Sequence, residues 1–324
     1  MKLLLTTVTL FIATAGFAQK PKRNVYFLKN DGRYVTLQDS ADYMRVVSEP
    51  DSGSVLYNIA EFYIDGKKKL IGKSLSIDPP VFDGQYARFY HNGKRQITAN
   101  YKNGIEVGLE YFFYPNGKLY TIKEYPDNSD RYNDFTNNFL IKANYDSLGT
   151  ALVENDNGYF KGYDDKFTYI NEEGKVENGK RDSAWKGNYK DLKIMFSENY
   201  KDGELISGLA TFEDGKTAAY TKTRGTPPQF KGGLEEFGKY LGSAIQYPID
   251  AREYSIQGKV VVSFVVEKDG KVSDVKVSKT VSSSIDAEAV RVIKDSPRWI
   301  PGTQFGRNVR VVYDVPINFA LTGN

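Results

Sequence analysis

Four stretches near the end of the chain decide the fold: Tyr247-Pro248, Gly258-Lys-Val-Val-Val-Ser-Phe-Val-Val-Glu267, Arg298-Trp-Ile-Pro-Gly302 and Val309-Arg-Val-Val-Tyr-Asp-Val-Pro-Ile-Asn-Phe319. In the second, Val260, Val262, Phe264 and Val266 alternate onto one face, the pattern of a strand with one side in a core. Lys268-Asp-Gly-Lys271 then reads as a hairpin turn, and Val272 to Lys279 runs back with Val275 and Val277 on one side. The last stretch places Val309, Val311, Tyr313, Val315, Ile317 and Phe319 on one face, with Arg310, Asp314 and Asn318 on the other.

Helical patterns flank these strands. Leu234, Phe237, Leu241 and Ile245 recur at three- and four-residue spacing and predict one helical stripe, ended by Tyr247-Pro248. Pro248 can open a short second helix through Tyr254. Ser283, with Asp286 three positions on, predicts a capped start for a helix whose apolar face is Ile285, Ala289, Val292 and Ile293, and Pro297 stops it. Trp299 is expected to be core. The order helix, strand, strand, helix, strand predicts a two-layer α/β domain over residues 230–321. Thr223-Arg-Gly-Thr-Pro-Pro228 breaks the preceding β pattern, so residues 223–229 are read as a linker.

Upstream, residues 55–222 repeat themselves. Gly84, Phe89, Tyr90, Asn92, Gly93 and Lys94 recur as Gly108, Phe113, Tyr114, Asn116, Gly117 and Lys118, and weaker copies include Glu61 to Lys67 and Tyr169 to Lys175. Each unit is a strand with aromatics, an Asn-Gly or Asp-Gly turn and a second strand, which predicts stacked hairpins in an antiparallel sheet. Tyr and Phe on such a sheet are expected to pack its core, with tyrosine hydroxyls at water. Residues 19–54 read as a further β segment, with a hairpin at Asn30-Asp-Gly32. The fold class is therefore mainly β with an α+β terminal domain.

Composition narrows the chemistry. The net charge is +3, from 44 basic and 41 acidic residues, so no strong field favours nucleic acid. Cysteine is absent, which removes thiolate chemistry and cysteine-held zinc, and the single histidine, His91, stands in a turn-like His-Asn-Gly-Lys context. No Gly-x-Ser-x-Gly nucleophile motif occurs, so no enzymatic activity, cofactor or metal is expected. Met1-Lys2 followed by the apolar run Leu3 to Ala18 reads as a signal peptide over residues 1–18, since a spanning helix needs roughly 20 apolar residues. The expected location is the periplasm, with no integral membrane span in the mature chain. Retention of residues 1–18 would instead tether the protein to the inner membrane.

Taken together, the four quoted stretches resemble the C-terminal domain of the TonB energy-transducer family, over about 95 residues. The repeats resemble the MORN type, which implies a structural or protein-binding role. In the TonB family the terminal domain binds an extended segment, the TonB box, of outer-membrane transporters, and the box adds as a strand beside the domain's last strand. Carried over by position, the partner edge here is Asn308, Val309, Arg310, Val311, Val312, Tyr313, Asp314 and Val315, with Gln246 and Tyr247 near one end. Pro316 lacks an amide donor, which favours Val309 to Val315 as the pairing part.

The resemblance has departures. Full transducers carry an uncleaved membrane helix and a long proline-rich spacer, whereas this chain shows a signal, β-hairpin repeats and only Pro227-Pro228. The expected activity is therefore binding by strand addition rather than force transmission. The alternative is an envelope scaffold in which the repeats hold partners and the terminal domain forms a homodimer.

Overall fold

The computed structural model describes residues 23–126 and 139–321, so the expected signal peptide lies outside the described residues. The chain divides into two compact units, residues 1–117 and 118–324. The first holds β1 (Arg23–Leu28), β2 (Tyr34–Val35), β3 (Tyr43–Ser48), β4 (Tyr57–Tyr63), β5 (Lys68–Ser74), β6 (Phe82–Phe89), β7 (Arg95–Lys102) and β8 (Ile105–Phe113). β1 pairs with β2 across the Asn30-Asp-Gly32 turn and with β3, and from β3 to β8 each strand is antiparallel to the next.

The repeated letters have a physical meaning here. The Tyr90 hydroxyl donates to the Phe113 carbonyl (2.6 Å), the Asn92 amide to Pro115 O (2.9 Å) and Lys94 Nζ to Asn116 O (2.6 Å). One Phe-Tyr-x-Asn-Gly-Lys turn thus braces the next copy of itself, and Tyr63 does the same to Phe89 O at 3.0 Å. Each motif side chain thus donates to a backbone carbonyl in or beside the turn of the next copy. Beneath lie Val47, Ile59, Leu70, Tyr86 and Ala99, all buried. Glu61 is buried among them because Arg45 (2.8 Å) and Lys69 (2.7 Å) neutralise it.

The second unit begins with β9 (Leu119–Tyr125), β10 (Leu140–Tyr145), β11 (Ala151–Glu154), β12 (Asn157–Tyr163), β13 (Ile170–Glu177), β14 (Lys180–Tyr189), β15 (Ile194–Lys201), β16 (Glu204–Phe212) and β17 (Thr217–Lys222). They pair antiparallel in sequence order. A rule links the glycines to the aromatics in this sheet. Gly174 stands opposite Trp185, Gly187 opposite Phe196 and Gly208 opposite Tyr220, and in each pair the ring covers the glycine. A Cβ on these glycines would lie 2.3, 2.1 and 2.4 Å from the ring atoms, so the bare backbone is what lets each ring lie flat on the next strand. The expectation that Tyr and Phe pack the core holds for the rings of Phe196 and Tyr220, and Trp185 is buried with them, but the Tyr220 hydroxyl donates to buried Glu198 (2.7 Å) rather than to water.

The terminal domain follows with β18 (Gly225–Thr226), α1 (Gly233–Ala244), α2 (Ile249–Glu253), β19 (Gly258–Val266), β20 (Val272–Lys279), α3 (Ser283–Lys294), β21 (Thr303–Gln304), β22 (Arg307–Asn308) and β23 (Val311–Phe319). β20, β19 and β23 form one sheet in that order, and Val260, Val262, Phe264, Val266, Val315, Ile317 and Phe319 bury one face of it against α3's Ile285, Ala289 and Ile293. The predicted helix-strand-strand-helix-strand order is thus present. The architecture is mainly β, with the described α-helices confined to this domain.

Two local expectations need correction. Leu234 is 82% exposed, because it sits in the first turn of α1, and the buried stripe begins at Phe237. The α3 cap is Ser282, not Ser283: Ser282 has extended φ/ψ and its side chain accepts from the Ile285 amide, while Asp286 accepts from Val281 N–H at 3.0 Å.

Trp299 is core, as expected, with ring centroids of Phe230, Phe237, Phe264 and Tyr313 at 5.2 to 5.6 Å. Its backbone N–H donates to Gly270 O (2.9 Å), and a Cβ on Gly270 would stand 2.1 Å from Trp299 O. The Asp-Gly turn and the Arg-Trp-x-Pro segment are therefore two halves of one contact.

Candidate functional site

β23 is the outer strand of its sheet, and among the described residues no strand pairs along its far side. Which backbone groups face outward follows from Pro316. It stands opposite Val261, whose carbonyl accepts from Ser278 Oγ of β20 (3.2 Å) and so points away from β23. A strand's bonding groups alternate sides residue by residue, which turns the donorless Pro316 nitrogen outward, where no ladder bond is lost. Val312, Asp314 and Asn318 share that parity. Their N–H groups, with the carbonyls of Val312, Asp314, Pro316 and Asn318, form the free edge. Val311, Tyr313, Val315, Ile317 and Phe319 bond inward to β19 and turn their side chains to the core.

The structure places the residues expected at the edge as follows. Val311, Val312, Tyr313, Asp314 and Val315 lie in β23. Asn308 is in β22, paired with Thr303, and its side chain donates to Lys268 O (3.0 Å). Val309 N–H is taken by Gly302 O at 2.8 Å. Arg310 reaches Glu267 (2.9 Å) and Asp274, which holds the Glu267 carboxyl below its ordinary range. These three are tied to other parts of the domain, and the first outward-facing position within β23 is Val312. Gln246 and Tyr247 lie at the other end: Gln246 N–H donates to Glu288 (2.6 Å), the Tyr247 hydroxyl donates to Ile256 O (2.6 Å), and the Tyr247 ring packs on Phe319.

What occupies 308–310 was not expected from the sequence. The stretch read as a linker carries β18, which pairs with β21, and β21 pairs with β22, while Gln229 and Ile300 exchange backbone bonds. The β21–β22 turn drives Phe305 into the hairpin sheet, where it is 3% exposed among Tyr189, Phe196 and Tyr220. Arg307 follows, over the Phe212 ring and paired with Asp214 at 3.0 Å.

Behind Phe305, Arg224 binds both Glu198 oxygens (2.8 and 2.6 Å) and Glu172 (2.9 Å), and Arg181 holds Glu172 by two bonds (3.1 and 2.6 Å). Burial alone would raise the Glu172 pKa, but the two guanidiniums hold it down to about 2. β23 is thus the direct continuation of a hairpin clamped to the sheet of β9 to β17.

Elsewhere, one face of the first unit carries a trough of about 940 Å³ lined by Ala60, Ile71, Ala87, Thr98 and Tyr111, whose charged lining is Lys73 and Arg95. Among the described residues no cluster of three or more His, Asp or Glu could hold a metal. No described helix is long and apolar enough to cross a membrane.

Residues 243–321 match the family model described as Gram-negative bacterial TonB protein C-terminal. Among solved structures, the NMR solution structure of the Helicobacter pylori TonB C-terminal domain matches at 27% identity, covering 28% of this chain and 96% of that one, with a TM-score of 0.23. No curated protein matches the chain.

Proposed function

We propose that this is a TonB-like protein of the bacterial envelope, located in the periplasm, whose terminal domain binds an extended segment of a partner by strand addition along β23. The observation that carries the reading is the open edge: the outward N–H and C=O groups of Val312, Asp314 and Asn318 form a ready template for another strand. The family match to residues 243–321 supports outer-membrane transporters as the partner class. The hairpin strands β9 to β17, in this reading part of a MORN-like array, serve as the body to which the binding edge is fixed. Binding rests on backbone bonds, so it requires no catalytic group or cofactor. The test is a titration of the ¹⁵N-labelled full chain with a TonB-box peptide. Shifts concentrated at the amides of residues 311–319 support it, and an unperturbed β23 sinks it.

A further inference from the structure

The open edge is short at both ends, and its side chains are unequal. At the start, Gly302 O holds Val309 N–H, and the regular ladder with β19 begins only at Val311. At the other end Pro316 offers an acceptor and no donor. Between them, Val312 and Asp314 are the two positions that can exchange both backbone bonds with an incoming strand.

Their side chains lie on the sheet face opposite α3, in register with Val265 and Ser263. Val312 is 65% exposed, and the Asp314 carboxylate is exposed with no hydrogen bond or ion pair among the described residues. Arg310, the nearest cation along the chain, is committed to Glu267 and Asp274. Lys276 stands in the same row, but on β20 with Ser263 of β19 between, about 10 Å from β23 by strand spacing. An incoming strand would lie at about half that distance.

We propose that the strand accepted along β23 presents a lysine or arginine opposite Asp314, beside an apolar residue opposite Val312. The proposal rests on strand addition at β23 and specifies its selectivity. A directly opposed pair of charges stabilises a sheet when opposite and destabilises it when alike, and the carboxylate here has no competing partner. Pro316 sets the length: past it the incoming strand finds one unanswered carbonyl before the last pair at Asn318.

The experiment uses the full chain and two blocked seven-residue peptides, acetyl-Thr-Val-Thr-Lys-Thr-Val-Thr-amide and its twin with Glu for Lys, read by amide shifts and affinity. The lysine peptide binds about fivefold more tightly, the order inverts in Asp314→Lys, and Pro316→Thr, which restores an outward donor, tightens both peptides by about two- to fivefold. Equal affinities for the two peptides, with Val312 and Asp314 amides still shifted, overturn the charge selectivity and leave strand addition standing. Loss of all β23 shifts with both of these peptides and with a TonB-box peptide overturns strand addition itself, and the selectivity with it.

Discussion

Arg224 and Glu198 are joined by two bonds, Nε to Oε1 at 2.8 Å and Nη2 to Oε2 at 2.6 Å, across the junction between the β9–β17 sheet and the terminal domain. The Glu198 side chain is fully buried, while Glu172, which Arg224 also serves, is 15% exposed, so Glu198 is the carboxylate with no water to fall back on. Removing one partner leaves a buried charge without a counterion, which costs more than the pair itself contributes. Arg224→Ala is expected to lower the stability of this unit by about 3–5 kcal/mol, measured by urea unfolding. A loss under about 1 kcal/mol would mean that the cluster is solvated.

The same cluster sets an acid limit. The Glu172 carboxyl ordinarily titrates at 4.5 and is held near 2 in the folded protein. A depressed folded pKa contributes stability that is complete above 4.5 and is lost as pH falls toward 2, here on the order of 3 kcal/mol. Urea midpoints should therefore decline from pH 5 to pH 3, with a smaller decline in Glu172→Gln. Parallel declines in both proteins would remove Glu172 as the cause.

Phe305 is the peg that fixes the β21–β22 hairpin. Phe305→Ala should cost about 3–5 kcal/mol, as for other buried aromatics. It should also free the amides of Asn308 and Val309, seen as faster hydrogen exchange there than in the native protein. Unchanged exchange at both would show that β18 pairing alone holds the hairpin.

Gly270 must have positive φ (82°) and must admit Trp299 O where a Cβ would sit. Gly270→Ala is expected to destabilise the terminal domain by at least about 1–3 kcal/mol. In a Trp185→Phe background the remaining fluorescence reports Trp299 alone, and an unshifted unfolding transition would contradict the contact.

Much of this was legible in the sequence because it is local. The turn glycines at 93, 117 and 270 mark hairpins, and the alternation at Val260 to Val266 and at Val309 to Phe319 marks strands. Period-four spacing picked out Ile285, Ala289 and Ile293, all buried. The Gly174–Trp185 type of pairing could have been found by aligning glycines with aromatics across each turn. Phe305 gave no such signal. It is one aromatic in a turn, and its socket of Tyr189, Phe196 and Tyr220 comes from strands 85 or more positions away. Pro227-Pro228 read as a break for sound local reasons, since proline cannot join a ladder, yet Gly225 and Thr226 just before it do pair. Alternation in the sequence continues through Val309, whereas the paired strand begins at Val311 and the Val309 donor is taken by Gly302 O.

Hydrogen exchange at β23 tests strand addition most directly. In the free protein the amides of Val311, Tyr313, Val315, Ile317 and Phe319 should be protected and those of Val312, Asp314 and Asn318 should exchange freely. Added TonB-box peptide should protect Val312 and Asp314 while leaving the inward set unchanged. Protection of the outward amides before any peptide is added, or their continued free exchange at saturating peptide, would contradict strand addition along this edge.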